Sequence, residues 1–232
     1  MGTLNQDAYP FAINLMLGVD LGQKRDPTAI ALLEARNRRP DDEIPDWHFE
    51  SRFLQRLPLG TPYPVVARRI ADIQRNAVKT ARQEAADLHR VTDPTVTLWT
   101  FVDATGVGQP VMDLLDEAGA QATPCYFTHG DRRTAADSRV TIGKAWLVSR
   151  LKALFQSDRI HLPPDHPEAR ALTAELLDYE IRVDQNANDK YGAFKVGTHD
   201  DLVTALGLAT QVVPASRAWI DELVTEWGRD FE

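Results

Sequence analysis

Two aspartates stand where an apolar run ends and a glycine follows within three residues. They are Asp20 in Leu17-Gly-Val-Asp-Leu-Gly22 and Asp103 in Phe101-Val-Asp-Ala-Thr-Gly106. A third acidic element, Gly197-Thr-His-Asp-Asp201, opens an apolar helical stretch. Taken singly, each acid reads as well as a turn residue or a helix cap. The ordered set (strand end, strand end, helix start) is harder to explain that way. In an open α/β sheet, ligands bind beyond the carboxyl ends of the strands. If the first and fourth strands are adjacent and parallel, Asp20 and Asp103 come face to face there. Two carboxylates so placed raise each other's pKa, and a divalent cation removes that cost. Mg²⁺ prefers one or two carboxylates together with waters and phosphate oxygens. The pattern therefore predicts a metal site. Asp200 and Asp201 stay alternatives, because adjacent helix-start positions point in different directions. Asp26, before Pro27, is a fourth acid that alone reads as a turn. His199, beside the acid pair, is a weaker candidate for touching a metal or a phosphate.

Other chemistries lack their residues. No Gly-x-x-x-x-Gly-Lys-Ser/Thr loop is present, the nearest string being Ile142-Gly-Lys-Ala145. Neither Gly-x-Ser-x-Gly nor His-Glu-x-x-His occurs. Cys125 is the one cysteine, which excludes a disulfide framework and a cysteine zinc site. It is expected to be a small buried side chain.

The elements that must position the acids can be read from periodicity. Asn14–Asp20 and Thr28–Ala35 are short apolar runs that predict strands. Trp47, Phe49, Ser51, Phe53 and Gln55 alternate with polar neighbours, which predicts a third strand with one buried face. Together these give an antiparallel meander. From Val65 to about His89 apolar residues recur at helical spacing. Thr97–Ala104 is a fourth strand, Val107–Ala118 a helix closed by Gly119, and Ala122–Phe127 a fifth strand. Ala135–Phe155 reads as a helix with Val140, Trp146, Leu147, Leu151 and Leu154 as its buried stripe. His166–Leu177 reads as another. Tyr179–Val183 and Ala193–Val196 predict a hairpin around a polar loop. Asp200–Val213 and Ala215–Trp227 are helical. This order predicts an α/β fold, a mixed sheet of five or more strands with helices on both faces and a β-hairpin before the last acidic motif.

The chain has 232 residues, 43% of them hydrophobic and 26% charged, the profile of a soluble globular protein able to bury a core. No apolar run approaches the roughly 20 residues of a membrane helix, and residues 1–13 read as a leader without signal-peptide character. The net charge is −8. Within it lies a locally basic stretch, from Asp131 to Arg159.

Three strings carry a resemblance: Gly18-Val-Asp-Leu-Gly-x-x-x-Asp-Pro-Thr-Ala29, Phe101-Val-Asp-Ala-Thr-Gly-Val-Gly108 and Gly197-Thr-His-Asp-Asp-Leu-Val-Thr-Ala-Leu206. In this order they resemble the nuclease domain of the large terminase subunit of tailed bacteriophages, over about Leu15 to Val213. The resemblance implies an RNase H-like fold, close to that of Holliday-junction resolvases. It implies two Mg²⁺ or Mn²⁺ ions held by Asp20, Asp103 and Asp201, with Asp200 as neighbour or substitute and Asp26 outside them. It also implies largely sequence-independent cleavage of double-stranded DNA during genome packaging, leaving 5′-phosphate and 3′-hydroxyl ends. On this reading 14–214 is the nuclease domain, and 215–232 is a C-terminal helix packed on it. Such a protein works in the cytoplasm of an infected or lysogenic bacterium. A terminase ATPase domain, the small terminase subunit and the portal are its implied partners, and no membrane is. The family's P-loop motor is not in this chain, so the chain is expected to be an excised nuclease domain or a nuclease-only product. Arg132, Arg133, Arg139 and Lys144, and secondarily Lys190 and Lys195 on the hairpin, are the candidate phosphate contacts. Such contacts position a duplex without reading sequence.

Rival readings are an actin-like sugar or metabolite kinase, whose phosphate loops also read Asp-x-Gly; a Holliday-junction resolvase; and a DNA-binding packaging component whose acids are caps and turns. ATP–Mg²⁺ stabilisation, preference for four-way junctions, or DNA binding without cleavage would favour each in turn.

Overall fold

The structure is a computed structural model that describes residues 12–39, 46–89, 94–136, 139–163, 167–178, 180–183, 189–192 and 200–211. The chain opens with a meander: β1 (Ala12–Asp20), β2 (Ala29–Asn37) and β3 (Trp47–Arg56), paired antiparallel in sequence order. The long helix α1 (Tyr63–His89) carries the chain back to β4 (Thr95–Asp103), which lies parallel to β1 on its other side. Then come α2 (Gln109–Glu117), β5 (Thr123–Thr128), β6 (Arg133–Ala136), β7 (Arg139–Gly143), α3 (Lys144–Gln156), β8 (Ile160–His161) and α4 (Pro167–Asp178). A hairpin of β9 (Glu180–Val183) and β10 (Asp189–Gly192) precedes α5 (Asp201–Ala209). The main sheet has eight strands in the order β6-β7-β5-β4-β1-β2-β3-β8. It is mixed, as expected.

Alternation along β1 explains why helices cover both faces. Ile13, Leu15, Leu17 and Val19 point into one core with Val66, Ile70 and Ile73 of α1 and Val111 and Leu115 of α2. Met16 points into the other, with Leu147, Leu151 and Leu154 of α3, Leu172 of α4 and Leu202, Val203 and Leu206 of α5. Each such aliphatic, fully buried, contributes about 1.5–3 kcal/mol. α5 is buried all round, as a helix wedged against a sheet and two other helices must be.

Four differences from the sequence reading have physical reasons. The predicted helix Ala135–Phe155 is two antiparallel strands followed by a shorter helix: Val140 and Ile142 bury on β7, which pairs parallel with β5, and α3 begins only at Lys144. Three consecutive β-branched residues (Val140, Thr141, Ile142) suit a strand, whereas their spacing to Leu147 mimics a helical stripe. On β3 the expected single buried face holds only to Ser51. The register with β2 slips between Leu32 and Leu33, so Phe53 joins the α1 core while Phe49 and Leu54 share the other. A bulge inserts one residue and reverses the faces beyond it. Asp189–Gly192, expected in the polar loop of the hairpin, is a strand paired antiparallel with β9, and the shorter connection lowers the entropy of closing it. β1 begins at Ala12, before Asn14, because Ala12 and Ile13 pair with Thr95 and Val96. Ala193–Val196, the remainder of the leader and the helix expected from Ala215 lie outside the described residues.

Candidate active site

β1 and β4 end together. Val19 is the register partner of Val102, so Asp20 and Asp103 leave the two strand ends side by side. Neighbouring strands stand about 4.8 Å apart. Both aspartates share the parity of Met16 and Phe101 and so face the side of the sheet that α5 covers. The parallel adjacency that the metal reading required is present.

The third element arrives with α5. Asp200 is its N-cap residue, and its carbonyl oxygen accepts the first helical bond from the Thr204 N–H at 2.9 Å. Its side chain makes no capping hydrogen bond. The cap comes instead from α4: Glu175 Oε2 accepts the N–H groups of Leu202 at 2.9 Å and Val203 at 3.1 Å. Glu175 is 6% exposed and is also ion-paired with Arg56 at the end of β3. The Arg56 Nε stands 3.9 Å from Asp201 Oδ2. A buried carboxylate with a guanidinium and two amides as partners is satisfied, and the positive end of the helix favours the anions gathered there. Glu175 supplies the cap, and Asp200 and Asp201 both line the cleft. Asp201, at 3% exposed, is the deeper of the two.

Asp20, Asp103, Asp200 and Asp201 line one cleft of about 580 Å³, with Asp26, Lys24, Arg25, Tyr63, Phe127, Lys144 and Thr204. Burial pushes the Asp20 carboxyl well above the usual range, Asp103, Asp201 and Asp200 push it further, and Lys144 opposes them. Asp103 is also raised by burial, against the Thr105 hydroxyl and amide, whose N–H donates to Asp103 Oδ1 at 2.8 Å. Thr105 is itself fixed, its hydroxyl oxygen accepting the Phe127 N–H at 2.7 Å. The loop bearing Asp26 is tied at its base by Thr28, which accepts from the Gly22 N–H and donates to the Gly22 carbonyl.

Of the cations expected to meet phosphate, Lys144 lines the cleft, its Nζ 5.6 Å from the centre of the Phe127 ring. Arg132 and Arg139 are exposed, and neither lines it. Arg133 Nε donates to Gln211 Oε1 at 3.0 Å, and burial lowers its pKa. Lys190 lies on β10, while Lys195 and His199 fall outside the described residues. The sequence reading passed over Lys24, Arg25, Arg56 and Glu175. Glu175 had a signal: it falls on the stripe of Ala169 and Leu172, where an acid requires a partner. Cys125 is the small buried side chain expected, its thiol pushed up to about 12 by burial.

Among the described residues no three His, Cys, Asp or Glu side chains are drawn close enough to enclose an ion by themselves. The donor set is an open row of carboxylate oxygens. That chemistry fits a hard cation which keeps waters and takes further oxygens from a substrate. No described helix is long and apolar enough to cross a membrane.

Neither a protein-family model nor a curated protein matches the sequence. Solved structures do match in shape. The large terminase nuclease of thermophilic phage G20c aligns over 87% of this chain and 83% of its own, at 18% identity and a TM-score of 0.54. Its cobalt-bound and magnesium-bound forms each align over 85% and 80%, at 20% identity and a TM-score of 0.51. The chain therefore has the RNase H-like fold of these nucleases, as the resemblance implied.

Proposed function

We propose that this protein is a metal-dependent endonuclease that hydrolyses phosphodiester bonds of double-stranded DNA, in the manner of a terminase nuclease domain. The observation that carries the reading is the convergence of Asp20, Asp103, Asp200 and Asp201 on one cleft at the carboxyl ends of two parallel strands. Its placement is that of a ligand site in an open α/β sheet. The shared fold, with magnesium and cobalt bound to the G20c nuclease, supports the same chemistry.

Bound between these acids, two Mg²⁺ or Mn²⁺ ions supply an activated water at neutral pH and charge neutralisation at the leaving 3′ oxygen. Asp20, whose carboxyl is raised by Asp103, Asp201 and Asp200 around it, would be the carboxylate shared between the two ions. Asp103 is held in place by Thr105. Asp201 is held by the helix that Glu175 caps, with Arg56 beside it. Asp200 lies nearer solvent than Asp201, and Asp26 stands outside the central acids. Lys24, Arg25 and Lys144 give the cleft the positive charge that a phosphate backbone needs among carboxylates, so that binding weakens steeply with salt. Residues 14–214 form the nuclease unit on this reading. An ATPase motor, a small terminase subunit and a portal are its working partners in a phage-infected bacterium.

The test is incubation with supercoiled plasmid in Mn²⁺ or Mg²⁺, with EDTA as control. Nicking and linearisation that need the metal are expected. Asp20→Asn keeps the shape and removes a charge, so it should lower cleavage at least about 100-fold while leaving DNA binding intact. Normal cutting by that variant sinks the assignment. A preference for four-way junctions over linear duplex would move the substrate from packaging DNA to recombination intermediates.

A further inference from the structure

β4 is longer than the strand that flanks it. Eight of its nine residues, Thr95 to Val102, pair with β1, but β5 covers only Phe101, Val102 and Asp103. Among the described residues no backbone group bonds to the other edge of Thr95–Thr100. Six residues of edge that no described residue pairs with span about 20 Å. Unpaired edges in natural proteins are normally covered, twisted away or charged.

A groove of about 600 Å³ runs beside this edge, between it and α1. Leu98 and Val78 form its apolar floor, while Arg75, Lys79 and Arg82 form its wall. The three cations fall at i, i+4 and i+7, on one face of the helix. Their steps along α1 are about 6 Å and 4.5 Å, against about 6.6 Å between same-face residues of a strand. Arg75 is engaged by Asp72 at 2.6 Å. Lys79 and Arg82 are exposed, with no acidic partner among the described residues. One end of the groove is closed where β5 begins: Gln74 Nε2 donates to Thr100 Oγ1 at 2.7 Å and to the Gln121 carbonyl at 2.8 Å. Trp99, on the opposite face of β4, is only partly buried against the other core.

We infer that the outer edge of β4 and the basic face of α1 form a docking site for an extended acidic peptide segment of a partner protein, bound by strand addition. Backbone pairing to Thr95–Thr100 supplies the affinity common to such modes, and alternate side chains supply the specificity. Residues of the added strand that face α1 are Asp or Glu, against Lys79 and Arg82. Residues between them are apolar and lie on the Trp99 side. Charge complementarity and the open edge favour this occupant over nucleic acid, since a phosphate backbone satisfies the cations but leaves the strand edge unpaired.

The probe is the peptide fluorescein-Gly-Glu-Val-Glu-Phe-Glu-Val-Glu-amide, labelled at its N-terminal amine, titrated against the full chain in EDTA and read by anisotropy. Because no cleavage is read, the assay stands apart from the nuclease reading. Saturable binding is expected. The double variant Lys79→Glu/Arg82→Glu should weaken it at least about tenfold, and replacing the peptide's Glu residues by Lys should abolish it. N-methylation of one alternating set of peptide amides should be tolerated and that of the other should abolish binding, because only one set meets β4. Backbone amides within Thr95–Thr100 should exchange more slowly in the complex. The proposal is overturned if the peptide does not bind, or if both methylated peptides bind like the parent. It is equally overturned if a duplex of about 30 base pairs binds, loses binding in the double variant, and the peptide cannot displace it.

Discussion

The close approach of α5 to β1 makes Gly18→Ala the most exposed of the structural consequences. A methyl carbon there would sit well inside contact distance of the Ala205 carbonyl oxygen, and 2.5 Å from the Ala209 nitrogen. Comfortable heavy-atom contacts lie near 3.5 Å, so the helix must retreat by at least about 1 Å. Backbone meets backbone, and no side chain can rotate aside. Overpacking costs about 1–3 kcal/mol, and here the upper end, about 3 kcal/mol, is expected. Ala205 lies one turn after Asp201 and Gly18 two residues before Asp20, so the same retreat pulls the acids apart. A 1 Å misplacement of a catalytic group costs about 100-fold in rate. Gly207→Ala is the internal control. Its methyl would press on Leu147, 2.5 Å from Cγ and 2.8 Å from Cδ1, but that side chain can repack and the helix gains propensity. Its net cost should stay within about 1 kcal/mol, with cleavage unchanged. Urea denaturation gives the stabilities and Mn²⁺-dependent plasmid nicking gives the rates. If Gly18→Ala matches the parent within about 0.5 kcal/mol, or costs less than Gly207→Ala, the account of how α5 is seated is wrong.

Three further outcomes follow from the same geometry. Glu175→Ala removes the trans cap of α5 and the carboxylate that Arg56 donates to, a loss of about 3 kcal/mol measurable by chemical denaturation; an unchanged midpoint would refute the capping role. The Asp20 carboxyl is raised above its ordinary 3.8, so the metal-free native state holds its proton more tightly than the unfolded chain does. That contribution to stability is full below the ordinary value and is lost as pH rises through the raised one. In EDTA, the melting-temperature advantage of Asp20→Asn over the parent should therefore grow with pH, and Mn²⁺ should stabilise the parent more at higher pH; differences that stay flat across that range would show that Asp20 is not the perturbed acid. Cys125, buried with its thiol pushed up to about 12, should resist aromatic disulfide reagents at pH 8 until urea unfolds the chain, and rapid labelling of the native protein would contradict its burial.

What the sequence determined by itself was the set of local decisions. Apolar runs ending at Asp20 and Asp103 marked strand ends, the change of period after Pro64 marked α1, and the acids before Leu202 marked a helix start. Each of these is dictated within a few residues, by steric preference and by the alternation or helical spacing of apolar side chains. Asp20 and Asp103 could be paired on paper only on the condition that β1 and β4 lie parallel, and that condition is a tertiary fact. Tertiary structure also overruled a local pattern, taking Val140 and Ile142 from an apparent helical stripe into a strand because β5 offered an edge to pair with. It reversed the faces of β3 at a bulge that no period announces. It alone decided that Asp200 is not a side-chain cap, because the acceptor for the α5 amides is Glu175, a residue on another helix that is held in turn by Arg56 on a distant strand. Local sequence fixes which groups a segment carries and which way they alternate. Which charge satisfies which is settled only when segments remote in the chain are buried together, where an unpartnered polar group is too costly to leave.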